Sequence, residues 1–311
     1  MPYNKPYLPV LQQIALIKGR GMGISDDALA ASYLEKIGYY RLSGYWYPYR
    51  RSPVDDNFQD ATEFAEIIAL YVFDKRLRLL FLDVIERIEI ALRVRITLQL
   101  GQAGALAHRD ALALHGNFAK KADLQTGRTK HKKWLDLHDK SFDKSKEEFV
   151  KHFKAKYPNE YPPLWIAAEL WDFGAMSMLF SGLKKPDQMA IAQAFNIQSF
   201  GIMESWLHAI NVARNICAHH SRFWNKANVV QPKWPRGTAC PDLSHLYGNT
   251  HAQTRVYGIA ALCAYLLQSI NPNSLWRNRF KELISEFPES SIINLGSAGF
   301  PTGWENEPIW N

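Results

Sequence analysis

The chain has 311 residues, 47% of them hydrophobic and 22% charged, with a formal net charge of +7, which excludes a disordered or collagen-like chain. Its three cysteines stand 23 residues apart, which excludes a disulfide framework and a zinc knuckle, and no apolar run reaches the length of a membrane span. We therefore expect a globular protein of the reducing cytoplasm that needs no cofactor or metal.

The N-terminal segment, residues 1–60, predicts short helices separated by turns. Residues 9–18 have apolar side chains near helical spacing, and the sequence SDD at 25–27 is typical of the N-cap of a second helix that runs to Lys36. No alternating strand pattern of any length stands out in the chain, so the sequence predicts an all-α fold.

Residues 38–50, GYYRLSGYWYPYR, contain five Tyr and one Trp interleaved with arginines. Aromatic side chains supply a large buried area, so packing in the core is the favoured interpretation. Stacking on nucleobases is the alternative, because aromatic rings flanked by positive charge suit single-stranded nucleic acid.

The stretch from Phe64 to Leu100 carries apolar residues at intervals of three and four without Pro or Gly. This pattern predicts one long helix in the core of the fold. Glu86, Glu89 and Arg93 lie on one face of that helix, where we expect structural ion pairs.

Further along the chain, the apolar stretch 164–183 predicts a single helix in which only Glu169 and Asp172 are charged. A carboxylate in such a setting usually pairs with an arginine or caps a backbone group, and a catalytic role for Glu169 is the weaker alternative. Another apolar helix is predicted around 256–269, and the aromatic tail, residues 291–311, is expected to be irregular.

An insertion at residues 105–157 holds most of the surplus positive charge. Between residues 120 and 156 there are twelve Lys or Arg side chains against six Asp or Glu side chains. A clustered basic patch is the electrostatic footprint of a nucleic-acid-binding protein. We therefore predict that this segment binds an RNA backbone, and the alternative is a solvated, mobile loop. The lysines assigned to RNA binding are Lys120, Lys121, Lys130, Lys132 and Lys133.

The segment ARNICAHHSRFWN, residues 213–225, is the most unusual in the chain, and we place it on a helix from Ser205 to Trp224. At about 100° per residue, an apolar face and a polar stripe fall on opposite sides of that helix. The predicted buried face consists of Trp206, Ile210, Ala213, Cys217 and Trp224. The predicted polar stripe consists of His208, Asn211, Asn215, His219 and Arg222, with Arg214 beside it. His220 is predicted to point toward the core.

A polar stripe made of Asn, Arg and His, without Lys, Glu or Asp, is poorly suited to a face that only contacts water. It offers hydrogen-bond donors and a base that titrates near neutral pH, as phosphate chemistry requires. A plain solvated face is the alternative. A metal held by Cys217, His219 and His220 is not expected, because Cys217 lies on the apolar face and the two histidines diverge.

The hexamer RNICAH, from Arg214 to His219, resembles the R-N-x-x-x-H signature of the HEPN ribonucleases. The longer string RNICAHHSRFWN resembles the Abi-like family of abortive infection phage-resistance proteins, of the AbiD and AbiF type. Four further blocks agree in order, namely LEKIGYYRLSGYWYPYR, DVIERIEIALR, HFKAKYPNEYPPLWIAAELWDFGAMSMLF and GFPTGWENEPIW. The resemblance covers nearly the whole chain. It implies a single domain in which N-terminal helices precede a HEPN-like helical bundle at 64–290.

By this resemblance the catalytic residues are Arg214, Asn215 and His219. The supporting residues are His208, Asn211, His220 and Arg222. The resemblance also implies that two copies of the chain pair, so that two motifs meet in one RNA-cleaving cleft of a homodimer. Cleavage would use the ribose 2′-hydroxyl without a metal ion, with histidine as the acid or base near neutral pH. The products would carry a 2′,3′-cyclic phosphate and a 5′-hydroxyl.

A non-catalytic role stays open as the alternative to cleavage. In that reading the protein is an RNA-binding or regulatory module of a toxin–antitoxin or defence system, and Arg214 and His219 only bind a phosphate or a partner. A small RNA or an antitoxin is the further partner that such a system would use.

Overall fold

A computed structural model describes residues 6–235 and 239–311 of the chain. The fold is all-α, as predicted, apart from one two-stranded hairpin. The α-helices of the described ranges are α1 (Val10–Gly19), α2 (Asp27–Ile37), α3 (Tyr39–Trp46), α4 (Phe64–Leu100), α5 (Gly116–Ala119), α6 (Lys130–Lys144), α7 (Glu148–Lys156), α8 (Leu164–Ala167), α9 (Phe173–Gly182), α10 (Lys185–Ala194), α11 (Phe200–Ala218), α12 (Thr250–Gln253), α13 (Val256–Ile270) and α14 (Trp276–Ser285). None of these helices has both the length and the apolar character needed to cross a membrane.

Helix α4 is the central element of the core, and its ends coincide with the predicted Phe64 and Leu100. Helices α3, α9, α10, α11, α13 and α14 all pack against it. Helix α13 is buried without interruption from Val256 to Leu267, because it contacts α4 and α11 as well as the C-terminal tail. This arrangement places α11, which carries the unusual segment, directly against α4.

The N-terminal segment folds largely as its sequence predicts. Helix α2 begins after Asp26, whose side chain accepts a hydrogen bond from the backbone N–H of Leu29 at 2.9 Å. The hairpin of β1 (Arg50–Ser52) and β2 (Asp55–Phe58) was not predicted. Strands of three and four residues are too short for an alternating pattern to be visible in the sequence.

Two helices occupy the stretch 164–183, where we predicted one. Helix α8 passes into a short 3₁₀ turn, the backbone becomes extended at Trp171, and α9 then begins at Phe173. Asp172 caps α9, because its side chain accepts a hydrogen bond from the N–H of Ala175 at 2.7 Å. The predicted capping role of a carboxylate in this stretch is confirmed for Asp172, whereas Glu169 is exposed.

Helix α11 is shorter at its C-terminal end than predicted, and this changes the placement of several candidate site residues. We predicted a helix from Ser205 to Trp224, but α11 begins at Phe200 and ends at Ala218. The predicted apolar face is confirmed, because Trp206, Ile210, Ala213 and Cys217 are all buried. Trp224 is also buried, but it lies six residues beyond the helix.

The basic insertion contains helices α5, α6 and α7, and α5 and α6 pack on α9. Trp134 of α6 is buried, and its indole Nε1–H donates a hydrogen bond to the carbonyl oxygen of Ala175 at 2.9 Å. The alternative of a plain solvated loop is therefore wrong for α6. The tail at 291–311 contains three short 3₁₀ helices, and Trp304 and Trp310 in it are buried against Tyr257 of α13.

Candidate functional site

The last three turns of α11 present the predicted polar stripe to the surface. His208, Asn215 and His219 are exposed, and Asn211 and Arg214 are half-buried. His219 is the C-cap residue of the helix, where its backbone N–H still donates to the carbonyl oxygen of Asn215 at 2.9 Å. The helical phase of the stripe is therefore correct up to His219, and Arg214, Asn215 and His219 lie within six consecutive residues at the C-terminal end of α11.

A left-handed residue ends the helix immediately after His219. The N–H of His220 donates to the carbonyl of Cys217 at 3.1 Å, and the N–H of Ser221 donates to the carbonyl of Ile216 at 3.0 Å. This pair of bonds is a Schellman motif, which requires a left-handed residue where His220 has φ 57°. The prediction that His220 points toward the core is wrong, because the turn leaves its side chain exposed.

A buried carboxylate fixes the loop that follows this turn. Asp74 of α4 is fully buried and accepts hydrogen bonds from the N–H of Phe223 at 3.1 Å and the N–H of Trp224 at 2.7 Å. It also accepts one from the Tyr45 hydroxyl at 2.7 Å and forms an ion pair with Arg78. Burial raises the pKa of Asp74, and the charge of Arg78 and the hydrogen bonds oppose that rise. Asp74 thus ties the loop that follows the candidate site to α3 and α4.

The sequence contains an indication of this buried carboxylate that the apolar periodicity of the helix does not reveal by itself. Asp74 falls on the apolar face of the long helix, at a position where the period predicts a core residue. An acid in such a position must be paired or hydrogen-bonded. Arg78, four residues later, is the partner that helical spacing supplies.

Two arginines join the loop to helix α3. Arg41 donates from Nη1 to the carbonyl oxygen of His220 at 2.6 Å, so it stabilises the left-handed turn directly. Arg222 donates to the carbonyl oxygen of Gly44 in the opposite direction. The prediction that Arg222 belongs to the polar stripe of the helix is therefore wrong, because it lies past the helix end and is half-buried against α3.

An open groove with a volume of ≈ 430 Å³ lies between α4 and Arg214. Glu86, Glu89 and Arg93 line it from the α4 side. The predicted ion pair is confirmed for Glu89 and Arg93, at 3.2 Å. Arg93 also donates to the carbonyls of Ala168 and Trp171, both at 2.9 Å. Burial raises the pKa of Glu89, and the positive charges of Arg93 and Arg214 oppose that rise.

Asn211 is held in place by helix α9. A Cβ atom added at Gly174 would lie 3.4 Å from both the amide nitrogen and the oxygen of the Asn211 side chain. Glycine at this position therefore lets α9 approach α11 closely, and the Asn211 amide fills the contact. Asn211 therefore lies against α9, and its supporting role in the site stays a prediction.

Comparison with known proteins bears on the same region. A family profile described as "Abi-like protein" matches residues 32–225. The chain belongs to the Abi-like family. The matched range extends from α2 to the end of the loop held by Asp74, so it includes the R-N-x-x-x-H segment and its support. Neither the curated proteins nor the solved structures give a significant match. Membership of the Abi-like family indicates a role in abortive infection, which is a defence against phage.

The basic insertion of this Abi-like protein presents only part of its predicted RNA-binding set without an acidic partner. Lys132 pairs with Asp136 at 3.2 Å, and Lys133 lies 3.8 Å from Asp123. Lys120, Lys121 and Lys130 are exposed and form no ion pair with any residue in the described ranges. These three lysines are the members of the predicted set whose charge no acidic partner in the described ranges compensates.

A common metal site for Cys217, His219 and His220 is not formed. Cys217 is buried against the core, where burial raises the pKa of its thiol, whereas both histidines are exposed. Within residues 6–235 and 239–311, no group of three His, Cys, Asp or Glu side chains is arranged to hold a metal ion.

A second set of histidines lies where the basic insertion meets the core. His108 and His138 contact the buried ring of Trp171, His138 also contacts that of Trp134, and His131 packs against Phe118. Burial lowers the pKa of His108 to about 3 and that of His138 to about 4. Burial also lowers the pKa of His131, whose Nε2 lies 2.8 Å from the carbonyl oxygen of His108. These imidazoles are neutral at physiological pH and belong to the packing of the insertion.

Proposed function

We propose that this Abi-like protein is a metal-independent endoribonuclease that acts in phage defence, and that Arg214, Asn215 and His219 act on the RNA phosphodiester. The observation that carries the proposal is that Asn215 and His219 are exposed and Arg214 is half-buried at the C-terminal end of α11, next to a loop that Asp74 holds by hydrogen bonds. A network of buried hydrogen bonds holds the backbone around these side chains. The side chains themselves take little part in that network.

Each of the three side chains suits one part of the reaction. The guanidinium of Arg214 offers a planar set of donors to the non-bridging phosphate oxygens. Asn215 lies beside it, with its Oδ1 3.4 Å from Nη1 of Arg214, and its amide can orient a phosphate or a ribose. His219 is the group that transfers a proton.

The reaction that fits these groups is an internal transesterification. The ribose 2′-oxygen attacks phosphorus and loses its proton to a base, the bond from phosphorus to the 5′-oxygen breaks, and an acid protonates that oxygen. The products are a 2′,3′-cyclic phosphate and a 5′-hydroxyl. The reaction needs no redox partner and no second substrate.

Two proton transfers call for two groups, and one copy of the motif supplies one histidine. His208 lies on the same stripe but eleven residues away, which corresponds to about 16 Å along the helix axis, too far for one phosphate. We therefore include a homodimer in the proposal, in which two copies of His219 face a shared cleft. A two-fold contact allows one surface patch to build the whole site.

The exposed face of α4 supports such a contact. Leu79, Ile90, Val94 and Leu98 are large apolar side chains of α4 that remain exposed. Ile90 also lines the groove beside Arg214, so the apolar face and the candidate site adjoin. Ile90, Val94 and Leu98 follow one another at intervals of four residues, which places them on one face of α4, and an exposed apolar surface beside a polar site is typical of a protein interface.

The proposal includes two further interactions, one with the RNA backbone and one with a restraining partner. Lys120, Lys121 and Lys130 provide backbone contacts to RNA without reading its sequence. A small RNA or an antitoxin that covers the site is the partner that would restrain the nuclease until infection.

The test is incubation of the purified protein with single-stranded RNA in the presence of EDTA, beside the variants His219→Ala and His208→Ala. We expect the parent and His208→Ala to cleave and His219→Ala to be inactive. His208 is the matched control, because it is an exposed histidine on the same helix. A parent protein that binds RNA but does not cleave it would favour the non-catalytic alternative. Sedimentation of the same samples tests the dimer, and a monomer that cleaves at full rate would contradict it.

A further inference from the structure

The aromatic run at 38–50 divides into buried and exposed rings. Tyr45, Trp46 and Tyr49 are buried in the core, as the favoured interpretation predicts. Tyr40 is 92% exposed and Tyr47 is 46% exposed, so the same run also presents two rings to solvent. Core packing explains the three buried rings. It does not explain why Tyr40 and Tyr47 are aromatic.

The two exposed rings lie on one face of α3 with a glycine between them. Tyr47 directly follows the helix and keeps helical backbone angles, φ −57° and ψ −41°. Tyr40, Gly44 and Tyr47 therefore stand at positions i, i+4 and i+7, which share one face. The two ring positions are about 10 Å apart along the helix axis, which is the length of about three stacked nucleotides.

Packing does not require a glycine at position 44. A Cβ atom added there would meet no other atom within 4 Å. Glycine inside a helix lowers its stability relative to alanine, so its presence here carries a cost without a packing reason. Its effect on the surface is to leave bare backbone between Tyr40 and Tyr47. A flat planar group can then lie against the helix at this point.

This face of α3 adjoins the candidate active site. Arg41, the neighbour of Tyr40, donates to the backbone carbonyl of His220, and Arg222 donates to the carbonyl of Gly44. Both guanidinium groups bind neutral carbonyl oxygens and form no ion pair within the described ranges, so each keeps its positive charge. No acidic residue lies within α3. The face thus combines aromatic rings with positive charge beside His219.

We propose that Tyr40, Gly44 and Tyr47 form a shelf on which the unpaired bases of single-stranded RNA stack as the strand leads to His219. This inference rests on the proposed function and adds the kind of substrate to it. Every base has a face that an aromatic ring can cover, so such a shelf tolerates many sequences. Arg41 and Arg222 favour the phosphates of the same strand. The base faces of a duplex are already stacked on one another, so a duplex cannot bind the shelf by stacking.

The test is a binding measurement in the His219→Ala background, in which the strand stays intact. Fluorescence anisotropy gives the Kd for a labelled single-stranded RNA, for an abasic strand of the same length, and for a duplex. Tyr40→Leu removes the π face and Tyr40→Phe keeps it, and the exposure of Tyr40 makes both changes harmless to folding. We expect Tyr40→Leu to weaken binding of the single strand by about 5- to 100-fold, the range measured for one base stacked on one ring. Tyr40→Phe should bind like the parent, and the abasic strand and the duplex should not distinguish the variants.

Gly44→Leu provides a second, independent variant, because its Cβ meets no other atom within 4 Å and its longer side chain occupies the space between the rings. We expect it to weaken the single strand while its melting temperature stays equal to or above that of the parent. Equal binding of the single strand by the parent, Tyr40→Leu and Gly44→Leu would overturn the shelf. A loss that is as large for the abasic strand, or the absence of any single-strand binding, would also overturn it. The proposed function is measured separately, by cleavage in the His219-containing protein, so either proposal can fail while the other stands.

Discussion

The molecule holds two sets of histidines in opposite settings. His208 lies on the exposed face of α11, and His219 and His220 are exposed just beyond its end, whereas His108 and His131 are buried within the basic insertion and His138 is half-buried on the same helix as His131. Burial lowers the pKa of each histidine in the second set, so those imidazoles stay neutral and act as aromatic packing groups. The ring of His219 has no hydrogen-bond partner among the described residues.

The difference shows that the role of a histidine depends on whether the fold buries its side chain or exposes it, which the residue type alone does not reveal. The buried histidines lie on elements that pack on one another. The exposed histidines lie on α11 and just beyond its end, where Asp74 holds the following loop by hydrogen bonds. Reactivity is therefore expected where rigidity and exposure coincide.

The largest expected effect separates the two sets directly. His219→Ala should lower the cleavage rate by about 10²- to 10⁴-fold, because a proton-transfer group is lost, and leave the free energy of unfolding within about 0.5 kcal/mol. His138→Ala should do the reverse, keeping the rate and lowering stability by about 1–3 kcal/mol through the cavity that it leaves. Single-turnover kinetics and thermal denaturation of both variants check this. A rate loss in His138→Ala without a stability loss would contradict the contrast.

The second prediction concerns the support beneath the exposed histidine. Asp74→Ala leaves Arg78 buried without its partner and frees the N–H groups of Phe223 and Trp224, so we expect a loss of about 3–5 kcal/mol in stability. Asp74→Asn keeps the shape of the side chain and should cost less. Denaturant titration of both variants measures the difference. Equal stabilities of the parent and Asp74→Ala would show that the loop does not depend on this carboxylate.

The third prediction is an acid instability that comes from the buried set. The pKa of His108 is about 3 in the fold and that of His138 is about 4, against about 6.5 in the unfolded chain. The unfolded chain therefore takes up protons first, and the stability that neutral imidazoles provide is lost as the pH falls below about 6.5. Between pH 7 and pH 4 each of the two should account for about 3 kcal/mol.

The control for the acid instability is His108→Phe, which keeps a ring of similar size and removes one titrating group. We expect its stability to fall less steeply with acid than that of the parent, in urea titrations at pH 7, 6, 5 and 4. Parallel curves for the parent and the variant would mean that His108 does not cause the dependence.

The smallest expected effect is at the left-handed turn. His220 occupies φ 57°, where a side chain is strained and glycine is not, so His220→Gly should raise the stability by about 1 kcal/mol. The turn that places His219 would be kept, and cleavage should persist. A fall in melting temperature would contradict the assignment of strain, and a loss of cleavage would show that His220 takes part in the reaction.

The parts of the fold that sequence patterns predict correctly are those whose local signals agree with their tertiary setting. Helix α4 has an unbroken apolar period, and its ends match the prediction. Helix α2 has a strong cap at Asp26, and it begins where predicted. The apolar pattern does not reveal the break before α9, because apolar residues continue through it. Asp172 is the residue that indicates the break, since an aspartate is a good N-cap.

The end of α11 could not be predicted from the same signals, and it decides the geometry of the site. A Schellman turn usually has a glycine at its left-handed position, and that glycine makes the turn recognisable in a sequence. Here a histidine occupies the position. What stabilises that turn is long-range: Arg41 lies 179 residues from His220 in sequence, and Asp74 lies 150 residues from Trp224. The stripe up to His219 follows from helical periodicity alone, but the positions of His220 and Arg222 depend on these distant contacts.

The chemistry of the RNA ends distinguishes metal-independent transesterification from metal-assisted hydrolysis. The purified protein is incubated with a defined single-stranded RNA in EDTA, and the fragments are analysed by mass spectrometry. We predict a 2′,3′-cyclic phosphate on each upstream fragment, a 5′-hydroxyl on each downstream fragment, and neither product with His219→Ala. Fragments with 3′-hydroxyl and 5′-phosphate ends, or cleavage that EDTA abolishes, would contradict the account.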